Sequence, residues 1–215
     1  MHIRHIISPE ARDPDTRFYD LLGQENWFRL PPAVRRRFGK KLKAGASVVY
    51  QGEVTAMKIS RLGKILAQVT RLIGAPLPYD LSSIGKPAVV TVTEDCASSG
   101  QFWIRQYGRQ SGFPQLVHSS KRFAGSTGLE EYIGFGIGIA LRVEATNDAL
   151  LFKSDHYFLK VFGRRWRLPR VLSPGALTIG HHDLGDSKFL FSLNLHNRLF
   201  GLLVQQDAVF QDAKE

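Results

Sequence analysis

The sequence predicts a mainly β protein of the α+β class, in which an antiparallel meander curls into a barrel or half-barrel. From Lys86 onward the chain alternates short strand-like runs with turn-forming stretches such as EDCASSG, GRQSGFP and HHDLGDS. Helical patterns are confined to the part before Lys86 and do not alternate with strands as they do in a parallel sheet. A meander of this length favours curling, because curling removes the exposed edges of the sheet.

The first part of the chain has a helical pattern. Apolar residues recur at helical spacing from Asp15 to Lys43, and Pro31 and Pro32 interrupt the pattern where one helix ends and the next begins with proline in its first turn. With 215 residues, the chain is long enough for one sizeable core. We therefore expect a single domain, 1–215, with a helical N-terminal segment, 1–45, and a curved antiparallel sheet, 46–211.

One helix interrupts the sheet after its first strand. The stretch SVVYQGEVTAMKI suits a strand, and a helical pattern then runs over 60–74, with Ser60 as a candidate cap and Gly74 at its end. This amphipathic helix has an apolar stripe formed by Leu62, Ile65, Leu66, Val69, Leu72 and Ile73. The further strands are expected at 87–93, 101–107, 115–123, 129–145, 149–162, 176–182, 188–196 and 199–210.

Three glycines alternate with large apolar residues in the stretch EEYIGFGIGIALRVE. Gly134, Gly136 and Gly138 occupy every second position, which gives the expected strand 129–145 one nearly bare face. Glycine weakens a strand, so three in register indicate that the space has a use. They permit sheet curvature and close approach of the helix 60–74, or they leave room for an elongated apolar ligand. A nucleotide-binding loop is disfavoured because no helix follows.

The formal net charge is +10. A basic run contains Arg35, Arg36, Arg37, Lys40 and Lys41, which we interpret either as a solvated surface patch or as a site for an anionic membrane or an acidic protein. Nucleic acid is disfavoured because no recognition motif is present. The chain has neither a signal-peptide pattern nor an apolar run of membrane-spanning length, so we expect a cytoplasmic protein, with peripheral membrane association as an option.

The sequence offers little for metal or thiol chemistry. Cys96 is the single cysteine, so neither an internal disulfide nor a thiolate metal site can form within one chain. His181, His182 and Asp183 adjoin each other but lack a spaced third ligand. No metal and no cofactor are therefore expected.

The candidate ligand-binding residues lie mainly on two strands. Trp103, Arg105 and Tyr107 share one face of the strand 101–107, and Glu131 is a plausible partner for Arg105. Such an internal pair either fixes the sheet register, or its arginine holds a carboxylate or phosphate head group. A further candidate is His156, which follows Asp155 in the sequence but faces the opposite way unless the strand is bulged. Ile137, Phe191 and Leu193 are expected to line the pocket.

Several stretches resemble, in order, the bacterial family known as domain of unknown function 4166. They are FYDLLGQENWFRLPPAVRRRF, WIRQYG, GLEEYIG, WRLPRVLSPG and FLFSLNLHNRLFGLLVQQDAVF, which together span nearly the whole chain from Phe18 to Phe210. The positions that match family motifs are Trp103, Arg105, Glu131, Leu168, Pro169, Pro174 and Gly201. Where the family usually carries a glutamate after the Leu-Pro turn, this chain has His181, His182 or Asp183. The resemblance implies proteins that stand alone or are joined to Rossmann-type oxidoreductase modules, with no established reaction.

Three function hypotheses follow. The first is binding of an apolar or amphipathic small molecule, lipid-like or isoprenoid-like, in a barrel pocket, at an anionic membrane surface in one version. The second is an enzyme that acts on such a ligand, with Arg105, Glu131 and His156 as its polar groups. The third is an interaction module for an oxidoreductase or another acidic partner.

Overall fold

A closed barrel of ten antiparallel strands, in which β6 pairs with β7 to complete the ring, confirms the predicted fold class. The computed structural model describes residues 14–42, 46–72, 74 and 77–212. An eleventh short strand, β8, pairs with the second half of β7 outside the ring and was not expected from the sequence. The strands are β1 (Ser47–Ile59), β2 (Pro87–Asp95), β3 (Gly100–Tyr107), β4 (Gln115–Arg122), β5 (Leu129–Gly134), β6 (Ile137–Ala145), β7 (Ala149–Val161), β8 (Arg164–Arg167), β9 (Ala176–Gly185), β10 (Lys188–Asn197) and β11 (Gly201–Gln211).

The antiparallel order gives the barrel two different ends. Two N-terminal helices, α1 (Arg17–Arg29) and α2 (Pro32–Phe38), pack at the end where β1 begins, which we call the helix end. The opposite end, where β1 finishes, carries the links β1–β2, β3–β4, β5–β6, β7–β9 and β10–β11. We call it the cavity end. The expected helix break at Pro31 and Pro32 is present, while Lys43 lies outside the described residues.

The N-terminal helices fill the helix end with aromatic side chains. Phe18 and Phe38 are almost completely buried, and their ring centroids lie 5.1 Å apart with an edge-to-face orientation. Phe38 also packs against Trp103 and Phe152 from the strands. Edge-to-face aromatic pairs add to the free energy gained from apolar burial. The helix end is therefore a packed core, and access to the barrel interior is left to the cavity end.

The helix after the first strand, α3 (Arg61–Leu72), packs on the sheet through small residues. Gly63 and Ala67 are its buried residues, and they lie toward β11. The apolar stripe expected on the sheet is instead largely exposed, since Leu62, Ile65, Val69 and Leu72 have relative exposures between 43% and 83%. The small residues allow a closer approach of the two backbones than the stripe would. Ile73 lies outside the described residues.

We expect Gly63→Val to destabilise the fold by roughly 3 kcal/mol, at the upper end of overpacking costs. A Cβ at this position would overlap the backbone carbonyl of Leu203, and a carbonyl in a paired strand cannot move aside. The measurement is urea unfolding, with Lys64→Val as the control because Lys64 is exposed on the same helix. Equal losses in both variants would contradict the close packing of α3 on β11.

The glycine-rich stretch forms a hairpin, which corrects the expectation of one strand over 129–145. The chain turns between β5 and β6, where Phe135 and Gly136 have φ values of +46° and +76°. Gly138 makes room for another side chain, because a Cβ there would overlap the ring of Phe158 on the neighbouring strand. Within this stretch the glycines thus serve a turn and the packing of an aromatic ring, and α3 packs on β11 instead.

The described helices lack the features of membrane-spanning segments. Within residues 14–42, 46–72, 74 and 77–212, no helix combines the length and apolar character needed to cross a membrane.

Candidate functional site

Four polar side chains meet in the middle of the barrel and form the charged cluster, which consists of Arg105, Ser119, Lys121 and Glu131. They come from the neighbouring strands β3, β4 and β5, whose alternation points these positions inward. The Lys121 ammonium lies 3.1 Å from one carboxylate oxygen of Glu131, and the Ser119 hydroxyl donates to the other over 2.5 Å. Each of the four residues is at least nine-tenths buried.

Arg105 is the least well partnered member of this cluster. Its Nη2 lies 3.9 Å from Glu131 Oε1, which is beyond hydrogen-bond distance, and its Nη1 donates to Ser119 over a long 3.4 Å. Among the described residues, Nε and Nη2 have no hydrogen-bond partner. The guanidinium otherwise packs against Trp103 and Phe191, at 5.6 and 5.3 Å from their ring centroids. A buried arginine with free donors is costly unless something binds to it.

Opposing effects set the ionisation of the cluster. Burial disfavours the charged form of Glu131, but the charges of Lys121 and Arg105 and the hydrogen bond from Ser119 outweigh it and hold the pKa of this carboxyl below its usual value. Burial lowers the pKa of Lys121 against the attraction of Glu131, and the charge of Arg105 lowers it further. Glu131 thus has Lys121 as its close partner at 3.1 Å and the Arg105 guanidinium as a more distant one at 3.9 Å.

His181 lies beside the cluster among aromatic rings. Its imidazole contacts Phe38, Trp103, Phe152, Phe189 and Phe191. Burial lowers the pKa of His181 well below its usual value, and the charges of Arg37, Lys121 and Arg105 lower it further. The ring is thus neutral in the folded protein and adds no charge to the barrel interior.

The neutral His181 should make the folded protein less stable as the pH falls. Because its folded pKa is depressed, its contribution is present above about pH 6.5 and is lost as the pH falls toward the folded pKa, by about 1.4 kcal/mol per pH unit. In denaturant unfolding at pH 7.5 and 5.5, His181→Leu should lose less stability than the wild type. The control is His118→Gln, since His118 is exposed. A pH dependence unchanged by His181→Leu would contradict the assignment.

A cavity of about 80 Å³ lies between the charged cluster and the cavity end. Arg105, Ser119 and Glu131 line it, so the cluster forms its polar floor. Its walls are mainly apolar and include Tyr107, Val117, Ile133, Ile139, Tyr157, Leu177, Ile179, Leu193 and Leu195. Its rim is formed by Leu66 and Thr70 of α3 together with Leu77, Pro78 and Pro174. Burial raises the pKa of Tyr107 to about 12, which keeps this wall residue uncharged.

The structure places the residues singled out from the sequence at several depths. Arg105, Tyr107, Glu131 and Leu193 line the cavity, whereas Trp103 lies deeper, toward α2. Phe191 contacts the inner side of Arg105 in a separate cavity of about 10 Å³. The linings found among the described residues include neither Ile137 nor any of the three hairpin glycines, Gly134, Gly136 and Gly138.

His156 lies on the outer surface of the barrel. A bulge shifts the register of β6 and β7 between Ala140 and Leu141, and it brings Asp155 and His156 together with 2.7 Å between Oδ2 and Nδ1. This is the bulged geometry that would allow sequence neighbours to interact. Bonds from His156 and Arg142 lower the pKa of Asp155. The pair is separate from the cavity, which Tyr157 faces from the same strand.

The basic run on α2 is divided between surface and interior. Arg36 and Lys41 are exposed, and Arg35 and Lys40 are partly exposed. The Arg37 side chain is only 3% exposed, bonds to Asp212 over 2.8 Å and lies over the ring of Phe189. Arg37 therefore belongs to the packing of the helix end, which removes it from the expected surface patch.

Sequence reasoning did not select several interior polar residues, namely Ser119, Lys121, Tyr157 and Gln206. Lys121 could have been selected, because alternation along the strand puts its side chain on the same face as Val117 and Ser119. The register of the structure then places it beside Glu131. Gln206 is fully buried, and among the described residues its amide has no hydrogen-bond partner. In the part of the chain that the structure describes, no group of three or more His, Cys, Asp or Glu residues is arranged to hold a metal ion.

Comparison with known proteins identifies the family. The model of the family described as domain of unknown function (DUF4166) matches residues 30–210. The chain belongs to the DUF4166 family. No curated protein and no solved structure matched the chain.

Four of the seven positions of this DUF4166 protein that resembled family motifs lie in the barrel interior or at the cavity rim. Trp103, Arg105 and Glu131 point inward, and Pro174 lines the cavity rim. Gly201 begins the last strand with φ of +68°, a conformation that glycine adopts without strain. His181, which follows the Leu-Pro turn, is the one of its His-His-Asp group that enters the interior.

Proposed function

We propose that this DUF4166 protein binds a small amphipathic molecule whose carboxylate head reaches Arg105 and whose apolar part lies along the cavity toward the cavity end. The observation that carries the proposal is the pair of donors on Arg105 that no described residue bonds, at the floor of an otherwise apolar cavity. A planar guanidinium matches a carboxylate through two parallel hydrogen bonds.

The charge of the cluster supports an anionic head group. Lys121 is the closer partner of Glu131, at 3.1 Å, whereas Arg105 lies 3.9 Å from the same side chain. The guanidinium keeps its charge in proteins, so with Lys121 and Glu131 as an ion pair Arg105 is the cation of the cluster that lacks a close anion. A carboxylate balances one charge, while a phosphate monoester carries about 1.5 to 2 negative charges and would reverse the imbalance. The charge therefore favours a carboxylate.

The size and lining of the cavity support an amphipathic molecule. At about 80 Å³, it is smaller than the roughly 300–1,000 Å³ of pockets that enclose a whole drug-sized ligand. It has room for a head group and a short apolar segment. A longer tail would leave past Leu66, Leu77 and Pro174, which are apolar and lie at the rim.

The arrangement favours binding over catalysis. Of the three residues considered for an enzyme, Arg105 and Glu131 reach the cavity, while His156 lies outside it beside Asp155. Glu131 is held ionised by Lys121 and Arg105, which makes it a poor proton donor. The remaining lining residues are mainly apolar, which suits recognition of a charged head group that carries an apolar tail.

The test compares two probes of equal chain length, octanoate and 1-octanol, by isothermal titration calorimetry. We expect octanoate to bind at least 100-fold more tightly, because two charge-assisted hydrogen bonds are worth about 1.5–3 kcal/mol each. Arg142→Met serves as the control variant, since Arg142 is exposed on the outer surface and should not change either affinity. Equal affinity for the two probes, or binding of neither, would refute a carboxylate site.

A further inference from the structure

The links at the two ends of the barrel differ strongly in composition. At the helix end, the links 96–99, 123–128, 146–148 and 186–187 are built mainly from Ser, Thr, Gly, Asn and Asp and contain no Lys or Arg. At the cavity end, the links carry large apolar residues at their tips. We call these the apolar tips, and they are Phe113, Phe135, Phe162, Val171, Leu172, Leu199 and Phe200, each at least 61% exposed.

Two of the apolar tips are held in an unfavourable backbone conformation. Phe135 and Phe162 have φ values of +46° and +48°, each immediately before a glycine in a hairpin turn. Bulky residues rarely adopt positive φ, and glycine or asparagine would fit such turns without strain. At 76% and 101% relative exposure, these two rings bury little apolar surface against the rest of the protein. Strain of this kind is a reason to look for a function at the site.

The exposed stripe of α3 extends the same apolar surface. Ile65, Val69 and Leu72 are between 52% and 83% exposed. The helix lies beside the cavity rim, to which it contributes Leu66 and Thr70. Gly74, two residues beyond the end of α3, lies against Phe135, since a Cβ added to it would stand 3.3 Å from that ring. The end of the helix and this tip are therefore neighbours. The apolar surface therefore surrounds the rim of the cavity.

The charges between the tips are almost all positive. Over the links 61–72, 77–86, 108–114, 134–136, 160–175 and 197–201 the sequence contains eleven Lys or Arg residues and one acidic residue, Asp80. Asp80 is paired with Arg109, whose Nε donates to it over 2.5 Å. Arg164, Arg167 and Arg170 are exposed beside Phe162 and Trp166. Arg165 pairs with Glu130 of β5. A surface whose apolar tips lie among mainly basic side chains is complementary to an anionic bilayer surface.

We propose that the cavity end docks on an anionic membrane surface, with the apolar tips and the α3 stripe inserted among the lipid head groups. The tips come from four separate links, so they suit a soft lipid interface better than a single packed protein face. Trp166, 61% exposed among the arginines, is a residue type enriched at membrane interfaces. Docking would bring the cavity rim to the bilayer, and this last step rests on the proposed function.

The experiment measures binding to vesicles by flotation and compares phosphatidylcholine with a phosphatidylcholine–phosphatidylglycerol mixture. The wild type should bind the mixed vesicles and lose binding at high salt. Arg164→Ser/Arg167→Ser/Arg170→Ser should weaken binding by about 100-fold, given the usual contribution of each basic residue near an anionic surface. Phe162→Ser/Phe200→Ser should weaken it as well. The matched control at the helix end, Phe28→Ser/Arg36→Ser, should bind as the wild type does.

A second readout reports the orientation of the protein on the vesicle. Trp27 and Trp103 are buried, so brominated lipids should quench Trp166 selectively, and Trp166→Phe should abolish the quenching. The proposal is overturned if mixed vesicles are not bound, if the helix-end control weakens binding as much as the cavity-end variants, or if soluble polyglutamate binds equally well and Phe162→Ser/Phe200→Ser has no effect. The last result would indicate an acidic protein partner.

The failure of docking and the failure of ligand binding are distinguishable. The cavity-end variants should keep their affinity for octanoate in buffer without vesicles, because none of them lines the cavity. Arg105→Met should keep its affinity for vesicles, since Arg105 is buried. Loss of octanoate binding with intact docking would refute the ligand site alone, and the converse would refute docking alone.

Discussion

We expect Glu131→Gln to lower the free energy of unfolding by about 3–5 kcal/mol, the range for breaking a buried ion pair by removing one partner. The substitution preserves shape but leaves Lys121 and Arg105 as two buried cations without a carboxylate. It also replaces the acceptor of the Ser119 hydroxyl by a neutral oxygen. The measurement is equilibrium unfolding in urea at neutral pH.

The control for this variant is Glu144→Gln. Glu144 also pairs with a lysine, Lys153, but both side chains are more than 40% exposed. Exposed ion pairs contribute up to about 1 kcal/mol, so the loss should be several times smaller. If the two variants lose the same stability, the charged cluster is not the buried and mutually neutralising group described above.

The second large effect is expected from Arg105→Met, which should weaken the affinity for octanoate by at least 100-fold. The free energy of unfolding of the ligand-free protein should be unchanged or up to about 2 kcal/mol higher. Methionine keeps much of the apolar stem volume and removes the poorly partnered charge, leaving Lys121 and Glu131 as a matched pair. Calorimetry with octanoate measures the affinity, and urea unfolding measures the stability.

A double variant separates this interpretation from simple misfolding. Arg105→Met introduced into Glu131→Gln should recover part of the lost stability, because it removes one of the two unpaired cations. Arg105→Lys should retain a positive charge but lose the two-pronged geometry, so it should bind octanoate more weakly than the wild type. A double variant less stable than Glu131→Gln would contradict the excess of positive charge in the barrel.

The barrel could be predicted from the sequence because its signal is local. Strand-like runs separated by turn residues imply antiparallel neighbours, and parity along β3 predicts one shared face for Trp103, Arg105 and Tyr107, with Glu131 as a plausible partner for Arg105. The structure shows that this face is the inward one. Lys121 obeys the same parity. The burial of Lys121 could not be expected from the sequence, because lysine is seldom buried without a partner. Its partner, Glu131, lies on another strand.

The hairpin at Gly134–Gly138 could not be separated from a strand by alternation alone. The two-residue turn at Phe135 and Gly136 pairs Gly134 with Ile137 and would by itself invert the alternation. A bulge between Tyr132 and Gly134 restores it, so the pattern continues through the reversal. The positive φ values that define the turn leave no trace in hydrophobic periodicity. The turn that pairs β5 with β6 is therefore defined by backbone dihedral angles that the pattern of apolar residues does not reveal.

The orientation of α3 was unpredictable for a different reason. A strong apolar stripe normally faces the core, yet Gly63 and Ala67 face β11 and the stripe remains exposed. Close backbone packing against Leu203 decided the orientation. The position of the cavity rim beside α3 follows from this packing, and so does the apolar surface around it.

The most direct test of the carboxylate site is carbon-13 NMR of octanoate labelled at its carboxyl carbon and bound to the protein. A head group held at Arg105 should remain ionised below about pH 4.3, where an unperturbed side-chain carboxyl is half protonated. We expect a bound resonance that keeps its ionised chemical shift as the pH falls from 7 toward 4 and that is absent with Arg105→Met. A bound carboxyl that titrates as it does in free solution would place the head in water and contradict the account.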